Sequence, residues 1–193
     1  MTPATAAAPV RLALTALLVA SLAAFVVAGR ADGAGRSGSA YLAPAAACKG
    51  SDDPAASPAV QRSAIGCLLN WARAQDQRRR LAQPASLQRA AKIKGRGVAS
   101  CGQISHTPCG LDLTAPLRAA GYRYSTFGEN IFVGTWGQVS ARDVVAAWLQ
   151  SPGHRANVLR AIFRDVGVAL VRAPGLFGDG DAALWVAAFA APR

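Results

Sequence analysis

The chain is poor in the side chains on which catalytic and metal sites most often depend. Its 193 residues include one glutamate, Glu129, and two histidines, His106 and His154. It has no C-x-x-C pair, no H-E-x-x-H and no G-x-S-x-G. These absences argue against a zinc–thiolate site, a zincin-type peptidase and a nucleophile-elbow hydrolase. The glutamate and the two histidines are therefore the candidates for a functional site.

Long apolar runs are also scarce, and the one present lies near the start of the chain. It covers residues 12–28, follows Arg11 and ends with small residues at Val26 and Ala28. A basic start, an apolar stretch and small residues at its end predict a secretory signal peptide over residues 1–28. An uncleaved anchor is the alternative, although spanning helices usually need ~20 residues. In both cases we expect a secreted or cell-envelope protein.

The length suits one folded domain. Residues 29–60 are mainly Gly, Ala, Ser and Pro with few bulky apolar side chains. Such a composition buries too little surface to fold alone and predicts a flexible tether. The folded domain is then expected over residues 61–193.

Helical periodicity dominates the first half of this domain. Apolar residues recur at helical spacing over 63–81, ahead of Pro84. A second helix is predicted over 86–94, with Ser86 as N-cap and Gly95 and Gly97 as its end. A short third helix is expected over 115–120, before Gly121.

The second half predicts two more helices and then strands. Ser140 and Asp143 resemble a capping box, and Ser151-Pro152 is typical of a helix start. Alternating residues over 165–171 and the apolar run over 183–190 predict an antiparallel hairpin. Helices first and an antiparallel sheet late indicate an α+β fold.

Basic side chains outnumber acidic ones, 21 to 10. Eight of them lie in the basic stretch Arg73–Arg96, with Asp76 as its only acid. For an exported protein, anionic envelope polymers or lipid headgroups are favoured over nucleic acid as partners of such a stretch. A solvated helix face in an arginine-rich chain is the plainer interpretation.

Four cysteines in an exported chain predict disulfides, and three pairings are open. The sequential one, Cys48–Cys67 with Cys101–Cys109, is favoured. It would attach the N-terminal segment to the first helix. It would also close a short loop around His106.

Glu129 lies in an apolar, aromatic run, where a buried carboxylate needs a partner. His154 lies in the first turn of a predicted helix, whose dipole disfavours imidazolium. A neutral imidazole can bind a metal or act as a base. We therefore predict that His106, Glu129 and His154 meet in one site, called the His–Glu cleft below. A purely structural role for each residue is the alternative.

Two motifs give these residues a family resemblance. G-E-N at 128–130 is followed by S-P-G-H-R-A-N-V-L at 151–159 and then by a G-V strand. In this order the motifs resemble the bacterial secreted branch of the CAP superfamily, which contains cysteine-rich secretory, antigen 5 and pathogenesis-related class 1 proteins. The resemblance covers roughly residues 60–190.

The resemblance implies an α-β-α sandwich with a central antiparallel sheet and a cleft at one side. It also implies that His106 and His154 can hold zinc or another divalent metal. Relatives with a second cleft glutamate place it where this chain has only Gln150 and Ser151. Further side chains expected to support the cleft are Asn130, Ser151 and Arg155.

Two classes of function follow from this resemblance. One is a monomeric binding protein for a metal, an envelope lipid or a polymer. The alternative is a zinc-dependent extracellular hydrolase of peptidase type, with Glu129 as base. Because two imidazoles make an open site, Glu129 would be a third ligand or would orient one imidazole. The residues favour binding over catalysis.

Overall fold

A computed structural model of the protein describes residues 37–176, 178 and 180–193. Within these residues the chain forms five α-helices and three β-strands. They are α1 (Pro58–Gln75), α2 (Ala85–Cys101), α3 (Ala115–Ala119), β1 (Tyr124–Thr135), α4 (Ala141–Gln150), α5 (Pro152–Leu159), β2 (Asp165–Pro174) and β3 (Asp181–Pro192). The predicted signal peptide and residues 29–36 of the predicted tether lie outside the described residues.

The strands form one antiparallel sheet in the order β1-β3-β2. Alternate side chains of β3 enter two separate cores. Trp185 and Phe189 pack towards α1 and α4, whereas Leu184 and Val186 pack towards α2 and α3. Because a strand alternates its faces, one central strand serves both layers. The predicted α+β class and α-β-α sandwich are confirmed.

The first helix begins and ends earlier than predicted. It starts at Pro58, where the Ser57 hydroxyl accepts a hydrogen bond from the Val60 N–H at 3.4 Å. It ends at Gln75, because Gln77 takes a φ of 53° that no α-helix continues. Leu81 is buried next to the sheet instead of on the helix.

The second helix is longer than predicted, and its two internal glycines explain the difference. It runs through Gly95 and Gly97 to Cys101 and stops at Gly102, whose φ is 68°. A Cβ on Gly95 would lie 2.8 Å from the Val171 Cγ2 atom. This glycine therefore lets α2 approach the sheet closely and does not terminate the helix.

Residues 37–60 differ from the flexible tether that their composition predicts. The Tyr41 side chain is fully buried, and Cys48 forms a disulfide with Cys67 on α1. Arg142 of α4 donates a hydrogen bond to the Ala43 carbonyl oxygen at 2.6 Å. One buried aromatic ring and one covalent link therefore hold this segment against the helical layer.

Several local predictions are confirmed. Both predicted disulfides form, Cys48–Cys67 and Cys101–Cys109. Ser140 and Asp143 make a reciprocal capping box at the start of α4. The last two strands pair as an antiparallel hairpin. None of the described helices has the length and apolarity needed to cross a membrane.

Candidate functional site

The cleft is built around the edge strand β1. Glu129 lies opposite Ala188 of β3, and its neighbours on the same face, Phe127 and Ile131, pack into the core beneath α2. Asn130 has the opposite orientation and is fully buried. Consecutive residues of the G-E-N motif therefore contact different helical layers.

A buried lysine neutralises the glutamate. The Lys94 Nζ atom lies 3.2 Å from Glu129 Oε1, with side-chain exposures of 1% and 3%. Lys94 also donates a hydrogen bond to the backbone carbonyl of His106. In the sequence, Lys94 is one of the eight basic residues of the basic stretch. Its place on the buried stripe of α2, with Ala91 and Val98, is the signal that would have identified it.

His106 contacts the same carboxylate oxygen. Its Nδ1 atom lies 2.8 Å from Glu129 Oε1. An ionised carboxylate only accepts hydrogen bonds, so Nδ1 is the donor in this contact, and Glu129 does not contact Nε2. The His106 side chain is 54% exposed, and its loop is closed by the Cys101–Cys109 disulfide. His106 therefore has one nitrogen oriented by Glu129 on a side chain that is otherwise open to solvent.

His154 enters the site from the first turn of α5. Its backbone carbonyl accepts a hydrogen bond from Asn130 Nδ2 at 3.1 Å. Burial is the main cause that lowers the pKa of His154 below its usual 6.5, and the nearby His106 lowers this pKa further. Both effects favour the neutral imidazole. The helix dipole alone predicts a neutral His154 from the sequence, whereas burial is the larger cause in the structure.

Asn157, which is not among the predicted site residues, connects α5 to β1. Asn157 Nδ2 donates to the Glu129 carbonyl oxygen at 3.1 Å and to Asn130 Oδ1 at 2.9 Å. A Cβ on Gly128 would lie 2.8 Å from Asn157 Oδ1, so the glycine permits this approach. The position of Asn157 in the same S-P-G-H-R-A-N-V-L motif as His154 could have identified it as a site residue.

The two other expected supporting residues lie at the junction of α4 and α5. Arg155 Nη1 donates to the Leu149 carbonyl oxygen at 2.7 Å. Ser151 is the N-cap of α5 but makes no side-chain capping hydrogen bond. The contact of Arg155 holds the turn between the helices and does not reach Glu129.

The lowered pKa of His154 predicts a pH-dependent stability. Well above pH 6.5 both the folded and the unfolded state hold a neutral imidazole, because the folded-state pKa lies below that ordinary value. At lower pH the unfolded state takes up a proton that the folded state resists, so the free energy of unfolding falls. We expect urea unfolding from about pH 7 to about pH 5 to show this decrease, and His154→Asn to reduce it. Equal pH slopes for the two proteins would contradict the assignment, since His106 and Glu129 are present in both.

The donor set of the cleft is small. Over residues 37–176, 178 and 180–193, no three His, Cys, Asp or Glu side chains come together as a group that could hold a metal ion. Because Glu129 already contacts Lys94 and His106, it fits the role of an outer-sphere acceptor better than that of a ligand. The described residues therefore do not offer the three protein ligands that a catalytic zinc centre usually has.

The basic stretch is less exposed than its composition suggests. Arg73 and Lys94 are both buried, and each binds groups inside the domain. Six of its eight basic residues remain exposed, and Arg78 pairs with Asp76. Two of the eight basic residues therefore contribute to the fold and not to a surface that could bind a partner.

Known structures share this fold. An extracellular protein with an SCP domain from Bacillus anthracis superposes with a TM-score of 0.56 at 21% identity, covering 70% of this chain and 44% of that one. A cysteine-rich secretory protein from Staphylococcus aureus gives 0.54 at 16%, covering 72% and 39%. An outer surface protein from Borrelia burgdorferi gives 0.56 at 18%, covering 67% and 90%.

Sequence comparison agrees with the structural one. YkwD of Bacillus subtilis (strain 168) is 38% identical over 61 residues, which are 32% of this chain. The match spans only 23% of that relative. A profile of the CAP family, the cysteine-rich secretory protein family, matches residues 68–189 and so includes the whole His–Glu cleft. The chain therefore belongs to the CAP family.

Proposed function

We propose that the His–Glu cleft binds a divalent transition-metal ion through the Nε2 atom of His106 and the imidazole of His154. The observation that carries this proposal is the 2.8 Å contact between His106 Nδ1 and Glu129 Oε1. A carboxylate that accepts from one ring nitrogen orients the imidazole and makes its other nitrogen a better ligand. The lowered pKa of His154 supports the proposal, because a metal ligand must be unprotonated.

A metal bound there would supply a local positive charge able to attract an anionic or carbonyl oxygen. The chain's own residues would hold the ion and orient one ligand. With two imidazoles the site keeps open positions. We therefore propose that an envelope lipid or polymer, and not a third side chain of this protein, occupies the remaining coordination positions of the metal.

An exported location fits this proposal. The Bacillus anthracis relative is described as extracellular and the Borrelia burgdorferi relative as an outer surface protein. The apolar run over 12–28 gives this chain the pattern of a secretory signal peptide. Divalent ions and anionic polymers are both available to a protein in that compartment.

Catalysis as a zinc-dependent hydrolase is less well supported. A general base must reach the proton that it removes. The carboxylate oxygen Oε1 of Glu129 is instead shared between the Lys94 ammonium group and His106, and the side chain is 3% exposed. Such a carboxylate is suited to orienting a neighbour, and we propose binding without catalysis.

Zinc titration by calorimetry tests the proposal. We expect the purified protein to bind zinc with a Kd of about 1 μM or tighter, which corresponds to about 8 kcal/mol. The double variant His106→Ala/His154→Ala should bind at least ~100-fold more weakly, because it lacks both proposed ligands. Thr107→Ala is the matched control, since Thr107 is an exposed residue of the same loop.

Two results would contradict the proposal. One is zinc binding no tighter than that of an unrelated protein. The other is equal affinity in the wild type and the double variant, which would locate the ion elsewhere. A hydrolase that depends on Glu129 would reveal itself differently, through peptide or ester cleavage that a chelator and Glu129→Gln both abolish.

A further inference from the structure

A groove lies between α1 and α2, beside the outer edge of β2, and is called the α1–α2 groove below. Two adjoining cavities form it, of about 240 and 620 Å³, and both are lined by Arg62 of α1 and by Gln88 and Arg89 of α2. The smaller cavity also contacts residues 168–170 of β2. Successive residues of a strand face opposite sides of the sheet, so a cavity that touches three in a row lies against the strand's edge.

The charged side chains of the groove are all basic. They are Arg62, Arg89 and Lys92, and no acidic side chain among the described residues lines either cavity. Arg89 and Lys92 are exposed neighbours on one face of α2, and Arg62 is partly exposed. None of the three has an ion-pair partner within the part of the chain that the structure describes. A cleft lined by charge of one sign concentrates its field and attracts ligands of the opposite charge.

Uncharged hydrogen-bonding side chains add to this charge on both sides of the groove. Ser63 lies on α1, and Gln88 of α2 donates a hydrogen bond to Gln83 at 3.4 Å. Arg89 Nη2 donates to the Ala120 carbonyl oxygen at 3.2 Å, which positions the guanidinium group and uses only part of its donors. The groove therefore offers positive charge and hydrogen-bond donors from two helices at once.

This arrangement favours phosphate over carboxylate groups as ligands. Guanidinium groups bind both kinds of oxyanion through parallel N–H···O bonds. A tetrahedral phosphate group directs its oxygens to several sides and can accept from both helices, whereas a carboxylate holds its two oxygens in one plane. Because two adjoining cavities share one set of basic residues, the groove has room for more than one anionic group.

We propose that the α1–α2 groove binds a linear polymer that carries phosphate groups, with successive phosphates at Arg62, Arg89 and Lys92. Only part of the basic stretch Arg73–Arg96 belongs to this site, because its exposed residues 78–80 line neither cavity. The residues of the His–Glu cleft do not line the groove either. The site is therefore separate from the proposed metal site and does not depend on it.

A linear polyphosphate is the probe, titrated into the purified full chain at physiological ionic strength with a chelator present. The chelator removes any contribution from the proposed metal site. We expect saturable binding that Arg62→Gln/Lys92→Gln weakens ~25-fold, since each basic residue close to an anionic surface contributes roughly 5-fold in affinity. Lys92→Gln alone changes only one exposed helix position and should weaken binding ~5-fold.

Arg79→Gln/Arg80→Gln is the matched control, because it removes the same charge from exposed residues outside the groove. Salt screens such distant charges, so this variant should bind within ~3-fold of the wild type. Equal losses in the two double variants would mean that net charge alone drives binding, and would overturn the proposal.

Two further ligands test the chemistry of the polymer. Inorganic phosphate should bind at least ~100-fold more weakly than polyphosphate at equal phosphate concentration, because it cannot occupy linked positions. Polyglutamate of equal charge should bind at least ~5-fold more weakly, since its carboxylates do not reach both helices. Equal binding by inorganic phosphate would reduce the site to a single-anion site, and equal binding by polyglutamate would remove the preference for phosphate. Either result overturns the proposal.

Discussion

Replacing Lys94 with methionine should lower the free energy of unfolding by about 3–5 kcal/mol, the cost of leaving one partner of a buried ion pair uncompensated. Lys94 Nζ lies 3.2 Å from Glu129 Oε1, and both side chains are almost inaccessible to water. Methionine fills a similar volume, so most of the loss comes from charge and hydrogen bonding. Urea unfolding of the two proteins at neutral pH measures the difference.

A second variant separates this charge effect from packing. In Lys94→Met/Glu129→Gln the carboxylate is also removed, and no buried charge is left without a partner. We therefore expect the double variant to be more stable than Lys94→Met alone, although Glu129→Gln by itself is destabilising. A loss below about 1 kcal/mol in Lys94→Met would mean that Glu129 is solvated, which contradicts the burial described above.

Arg73→Met should cause a loss of similar size for a different reason. The Arg73 side chain is fully buried and donates to the carbonyl oxygens of Val158, Arg160 and Phe163, at 2.8, 3.0 and 3.1 Å, and to that of Arg79 at 2.7 Å. Burial lowers the pKa of Arg73 to about 10, which still leaves it charged at neutral pH. The carbonyl oxygens of Val158 and Phe163 are in fully buried surroundings. Leaving each of them without a hydrogen bond costs ~1–3 kcal/mol, so we expect the free energy of unfolding to fall by about 4 kcal/mol.

Arg79→Met is the matched control for this prediction. It removes an equally long basic side chain from the same stretch, but Arg79 is exposed. We expect its free energy of unfolding to change by no more than ~0.5 kcal/mol. Equal losses in Arg73→Met and Arg79→Met would mean that net charge, and not the carbonyl contacts, sets the stability of this region.

Lys94 and Arg73 show why the site and the packing around it were only partly predictable from the sequence. The motifs around Glu129 and His154 indicated the family, and the family gave the sandwich and the cleft. Lys94 and Arg73 gave no such signal, because a basic residue in a basic stretch is usually solvated. Their roles depend on which side of each helix is buried. Periodicity identifies that side, but a basic residue within the apolar stripe must then be interpreted as buried and not as solvated.

The element boundaries failed for equally specific reasons. Gly95 resembles a helix terminator in the sequence, but α2 continues through it. Glycine is needed at this position because a Cβ would lie 2.8 Å from Val171 Cγ2. Tyr41 is the one large aromatic ring in a segment that resembles a linker, and it is fully buried. In both cases a single tertiary contact outweighs the local composition, and no window of neighbouring residues contains that contact.

The Cys48–Cys67 disulfide would keep the chain together after a proteolytic cut between the two cysteines. The segment between the two cysteines includes exposed residues at 52, 53, 55 and 57, ahead of α1, where a protease can reach the backbone. A cut there would leave the N-terminal piece covalently attached to α1 through Cys67. Tyr41 would stay in its place in the core. A nicked molecule would therefore run as one band without reducing agent and as two bands with it, while keeping its fold.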